Sequence, residues 1–155
     1  MRVYLVQHAQ ALSEEEDKSR PLSNEGEENI SRMANYAEQQ LNLSVDQILH
    51  SGKTRAKQTA DALAKKLKPP EGVTQGKGLS PLDDPHKWGE HIQEANRVLM
   101  LVGHLPHLSR LASFLVCGKE VDEVISVQNA GLNCLEKTED GTWVVRYVIT
   151  PDMLP

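Results

Sequence analysis

Two histidines stand where apolar runs end. His8 follows Val3 to Val6 with only Gln7 between, and His104 follows Leu99 to Val102 with only Gly103 between. Imidazole is the side chain whose charge changes near neutral pH, so a histidine delivered at the end of a buried strand is placed to serve as nucleophile, acid or base. A third run ends in "HSGKTRAKQTA" (50–60), which passes into a helix through Ser51, Lys53, Thr54 and Arg55. The free amides and dipole of a helix start favour an anion, whereas Arg55 is misplaced there unless an anion lies between the two. Arg20, in the loop "KSRPLS", supplies a second guanidinium. Ligands of open α/β sheets bind beyond the carboxyl ends of the strands, so parallel neighbours would bring His8 and His104 to one rim. Two imidazoles, an arginine and a helix dipole then define a pocket for negative charge.

The elements that must carry these groups alternate along the chain. "RVYLV" (2–6) reads as a strand, and residues 23–41 place Ile30, Met33, Ala34, Ala37 and Leu41 at helical spacing behind a Ser23 or Asn24 cap. A strand over 45–51 precedes a helix over 54–67 that Pro69 and Pro70 stop. Residues 72–85 are turn-rich and read as exposed, and 86–95 form a weak helix. "RVLMLVG" (97–103) is the strongest strand signal and reads as a fully buried central strand, followed by a helix over 106–116. Segments 132–138 and 142–150 form a hairpin around Asp140-Gly141. Such alternation implies a sheet with helices on both faces, and the closing hairpin makes the sheet mixed.

Composition narrows the classes further. A chain of 155 residues fits a single domain, 1–155, that buries roughly two-thirds of its unfolded surface. With 39% hydrophobic and 25% charged residues and a formal charge of −5, it does not read as a nucleic-acid binder. The longest apolar run, "VLMLVG", is far shorter than the ~20 residues of a membrane span, and Met1 leads directly into a strand without an export signal. A cytosolic protein without membrane partners, monomeric rather than oligomeric, is expected. Cys117 and Cys134 lack metal spacing and read as buried free thiols. Trp88 and Trp143 fit either core or rim.

"VYLVQHAQA", "RPLSNEG", "ILHSGKTRAKQTA" and "VLMLVGHLPHLSRLA" together resemble the histidine phosphatase (phosphoglycerate mutase-like) superfamily. Within it they are most similar to the short SixA-type phosphohistidine phosphatases. The resemblance spans nearly the whole chain. It implies a three-layer α/β/α sandwich with a mostly parallel mixed central sheet. It also implies that His8 is the nucleophile that becomes phosphorylated, with Arg55 and His104 stabilising the phosphoryl group and Arg20 assisting. Gln7 and Ser51 fall in the same phosphate-binding set.

One position departs from the family pattern. The family has Arg-His-Gly where this chain has Gln7-His8-Ala9, which removes a guanidinium from the phosphate clamp. Loss of one partner of a desolvated charge pair costs ~2–5 kcal/mol, or roughly 30- to several-thousand-fold in rate if felt wholly in the transition state. The glutamine amide offers neutral donors on a shorter stem and recovers part of this.

The expected chemistry is attack of neutral His8 on phosphorus, with protonated His104 set against the charge that spreads over the phosphoryl oxygens. Bound phosphate must help His104 hold that proton, because cationic neighbours disfavour it. No metal or other cofactor is required. Asp83 or Asp84, in "SPLDDP", is the candidate proton donor to a leaving group. With short connections and no insertion to form a lid, the rim suits phosphohistidine on a signalling or phosphotransfer protein, with a general phosphomonoester second. The acidic "SEEEDK" (13–18) would select a basic face on that partner. Gln7 favours a second reading, a phosphate-binding or interaction module without turnover. A metal hydrolase on His8, His104 and His107 would want a nearby carboxylate, and Pro106 turns His107 away. A serine hydrolase lacks its Gly-x-Ser-x-Gly elbow.

Overall fold

The computed structural model describes all residues from Met1 to Pro155. Its centre is one six-stranded sheet of β1 (Arg2–Gln7), β2 (Gln47–His50), β3 (Val73–Gln75), β4 (Leu99–Gly103), β5 (Leu132–Lys137) and β6 (Trp143–Ile149). The strand order is β3-β2-β4-β1-β5-β6. β1, β2, β3 and β4 run parallel, while β5 and β6 are antiparallel to their neighbours. This is the mixed α/β/α architecture that the alternation of elements implies.

The central strands are apolar on both faces because both faces are covered. Tyr4, Val6, Met100 and Val102 project to one side, where α1 (Asn24–Gln39) and α2 (Thr54–Leu67) bring Ile30, Met33, Ala60 and Leu63. Val3, Leu5, Leu99 and Leu101 project to the other, against Ile92 of α3 (His86–Glu94) and Leu108 and Leu111 of α4 (His107–Cys117). Alternation with period two thus loads both cores from the same strands.

Local chemistry fixes the two helices nearest the rim. Ser23 caps α1 by accepting the Gly26 N–H at 3.0 Å, and a side chain at Gly26 would meet the Gln10 carbonyl oxygen at 2.0 Å. Glycine is therefore required for α1 to lie against the segment that follows β1. Lys53, which precedes α2, caps it with no side-chain hydrogen bond, and the first turn of α2 has no acidic residue.

Two expectations are corrected. Residues 72–85 are not simply a turn-rich exposed stretch: Val73–Gln75 forms the edge strand β3 beside β2, and Leu79 is buried in the core. Three residues are too few for periodicity to show a strand, and parallel pairing with β2 creates it. Cys134 is buried on β5, but Cys117 is exposed, because α4 ends there and Gly118 turns the chain away in a left-handed conformation. Both thiols are free. No helix is long and apolar enough to cross a membrane.

Candidate active site

Parallel pairing of β1 with β4 sets Gln7 opposite Gly103. The next residue of each strand is a histidine, so the chain delivers His8 and His104 side by side, with ring centroids 5.1 Å apart. Both rings are nearly enclosed: His8 is 8% exposed and His104 2%.

The hydrogen bonds define the state of His8. Its Nδ1 lies 2.7 Å from the Ala9 carbonyl oxygen, which can only accept, so Nδ1 carries the proton. Nε2 is left with its lone pair, toward which Arg55 Nε–H points at 3.3 Å. Burial holds the His8 pKa down at about 4, opposed by the bond to Ala9 and reinforced by the charges of Arg55 and Arg20. At neutral pH the ring is an uncharged imidazole with an available nitrogen.

His104 is neutral for similar reasons. Burial first, then His8, Arg55, Lys53 and His107, press its pKa down to about 3. Its Nε2 lies 2.6 Å from Ser51 Oγ, which also accepts the Lys53 N–H at 3.3 Å, and its Nδ1 is buried without a partner. A buried polar atom left unpaired costs about 1–3 kcal/mol, and such costs persist where chemistry needs the group.

The arginines converge on the same place. Arg55 sits in the first turn of α2, and burial together with the charge of Arg20 lowers its pKa. Arg20 has φ 48, a left-handed conformation that the following Pro21 makes still less favourable, and its Nε donates to the Leu12 carbonyl at 3.0 Å. Arg20, Lys53 and Arg55 therefore crowd two neutral imidazoles at an uncapped helix start. Like charges gathered this way are stable when an anion lies among them.

The remaining expected residues have contacts of their own. Asp83 Oδ2 accepts the Ser80 N–H, and Asp84 Oδ1 accepts the His86 N–H, both at 2.9 Å. These carboxylates cap their own turn and lie beside His107 and Arg110. His107 is the first residue of α4, wholly buried, and no group of three His, Cys, Asp or Glu side chains is placed to hold a metal ion. Gln7 lines an open cavity of about 690 Å³ that extends past Leu105 and Asn129 to Glu25, Arg32 and Asp152.

Two residues absent from the sequence reading touch the histidine segment. Thr59 Oγ1 accepts the Ala9 N–H at 3.0 Å, and Asn129 Nδ2 donates to the His8 carbonyl at 2.8 Å. Thr59 lies one helical turn beyond Arg55, so its helical register was a usable signal. Asn129 arrives from a loop 121 residues away, with no local signature.

No family model matches the chain. An uncharacterized protein of Picosynechococcus sp. (strain PCC 7002) is 34% identical over 140 residues, covering 85% of this chain and 82% of that one. Among solved structures, the protein histidine phosphatase SixA complexed with tungstate superimposes with TM-score 0.85, 23% identity and 98% coverage of both chains. A phosphoserine phosphatase from Entamoeba histolytica, in complex with phosphoserine, reaches TM-score 0.72 at 13% identity, with 99% of both chains covered. The chain thus belongs to one family with the Picosynechococcus protein, and its fold is the phosphoglycerate mutase-like fold that SixA and the phosphoserine phosphatase share.

Proposed function

We propose that the protein is a phosphatase that works through a phosphohistidine intermediate on His8. The observation that carries this reading is the pairing of a neutral, Nδ1-protonated His8 with Arg55 at 3.3 Å and His104 at 5.1 Å between ring centroids. In the first step the His8 Nε2 lone pair attacks phosphorus, and the bond from phosphorus to the leaving group breaks with its electron pair. In the second, water attacks the phosphohistidine, the P–N bond breaks toward Nε2, and phosphate departs with the proton released. Arg55 and Arg20 hold the phosphoryl oxygens. His104, neutral in the free protein, takes up a proton as the phosphate charge arrives and then faces those oxygens as a cation.

Protein-borne phosphohistidine is the preferred substrate, and a general phosphomonoester the second. Its leaving nitrogen is weakly basic and departs readily, which matters because Asp83 and Asp84 are engaged in their own turn. The open cavity beside Gln7 leaves room for a macromolecular carrier. SixA, the protein histidine phosphatase with this fold, supports the same choice.

Incubation with a labelled phosphodonor and acid-free quenching should place acid-labile phosphate on His8, and His8→Ala should carry none. Label retained in His8→Ala would end the proposal. Gln7 favours a second reading, a phosphate-binding module that keeps the pocket but does not turn over.

A further inference from the structure

The carbonyl of His8 and the N–H of Ala9 are the two poles of one peptide unit, and each is held by a side chain from a distant element. Asn129 Nδ2 donates to the carbonyl at 2.8 Å, and Thr59 Oγ1 accepts the N–H at 3.0 Å. Thr59 donates its own proton to the Arg55 carbonyl at 2.8 Å, so the hydroxyl has a defined direction and links the histidine segment to the helix turn that carries Arg55. Asn129 is fixed in turn: it bridges to Gln7, and the Ala130 N–H donates to the Gln7 carbonyl at 3.0 Å. Ala130 holds φ 58 to make this approach, a conformation alanine rarely adopts.

The orientation of this peptide matters because the next carbonyl, that of Ala9, holds the proton on His8 Nδ1. The two clamps hold ψ of His8 and φ of Ala9, the torsions that set the Ala9 oxygen against Nδ1, and a change in those torsions would draw the oxygen away. The neutral ring would then lose the acceptor that keeps its proton on Nδ1, and only the Arg55 N–H would still oppose a proton on Nε2, the atom that must attack.

We propose that Thr59 and Asn129 are positioning residues, which clamp the His8–Ala9 peptide from both poles so that Ala9 keeps the His8 proton on Nδ1 and Nε2 open. The clamp rests on the phosphoryl-transfer reading for its purpose, but not for its detection. Thr59→Val keeps the shape and removes the acceptor; Thr59→Ser keeps it. Asn129 is exposed, so Asn129→Ala leaves the fold intact, and Asn129→Asp keeps the size while removing the donor.

Two measurements on the full chain decide the matter: imidazole nitrogen shifts of His8 by NMR, and kcat and KM with p-nitrophenyl phosphate and a phosphohistidine peptide. In Thr59→Val, Asn129→Ala and Asn129→Asp the His8 proton should move toward Nε2 and kcat should fall about 10- to 100-fold, with KM within about twofold. Thr59→Ser should match the parent in both. Unchanged His8 shifts in the folded variants, or altered shifts with unchanged kcat, would overturn the clamp. Should Thr59→Val not fold, the two Asn129 variants decide alone. A parent inactive on both substrates would remove the phosphatase reading, while the nitrogen shifts would still test the clamp.

Discussion

Arg55 Nε lies 3.3 Å from Nε2 of His8, so a cation points its N–H at the lone pair of a buried, neutral imidazole. On the proposed phosphoryl-transfer reading, the contact holds Nε2 where phosphorus would arrive, and a phosphoryl oxygen would take over the guanidinium.

Arg55→Ala should lower kcat/KM by about 10²–10³, the usual loss when one preorganised oxyanion donor is removed. The His8 pKa should also rise from about 4, although only in part, because burial is the larger cause and remains. Arg55→Lys should fall between, keeping charge but not the planar donor. NMR titration of His8 beside steady-state kinetics checks both, and a His8 pKa unmoved in Arg55→Ala would contradict the field ascribed to this contact.

Gln7→Arg should raise turnover, with an upper limit of roughly 30- to several-thousand-fold from the ~2–5 kcal/mol of a desolvated charge contact. From a measurable parental rate, the gain would mark a working but weakened phosphatase. From a parental rate equal to the uncatalysed one, it would favour the binding-module reading.

Acid should destabilise the protein before its carboxylates titrate. The folded pKa values of His8 and His104, about 4 and about 3, lie below the ordinary value of 6.5, so the unfolded chain binds protons more readily. Stability from burying these rings neutral is complete above pH 6.5 and is lost as pH falls toward those values. His50 and His107 shift in the same direction through burial. A single such group contributes a slope of about 1.4 kcal/mol per pH unit at its steepest. Denaturant melts between pH 7 and 4.5 should show the decline, and His104→Gln should flatten it. A level profile across that interval would show that these rings are not held neutral.

Much of this was legible in the primary structure for identifiable physical reasons. β4 is apolar on both faces and therefore stands out, α2 is bounded by its basic last turn and by Pro69 and Pro70, and the Asp140-Gly141 pair marks the final hairpin. His8, Arg55 and His104 were identifiable because each follows a strand or opens a helix, so local pattern alone assigns them to the carboxyl rim. β3 was hidden because its three residues gain strand character only by pairing with β2.

Only the tertiary structure decided the state of the site. That His8 and His104 are neutral follows from enclosure within a few ångströms of each other, a property of packing and not of residue type. Asp83 and Asp84 each accept a backbone N–H within their own turn, and which N–H each takes is set by the folded loop. Asn129 reaches His8 across 121 residues, and no local periodicity encodes such a contact. Sequence patterns fix where a chain turns and which side faces the core, whereas proton placement and charge depend on neighbours that only folding brings together.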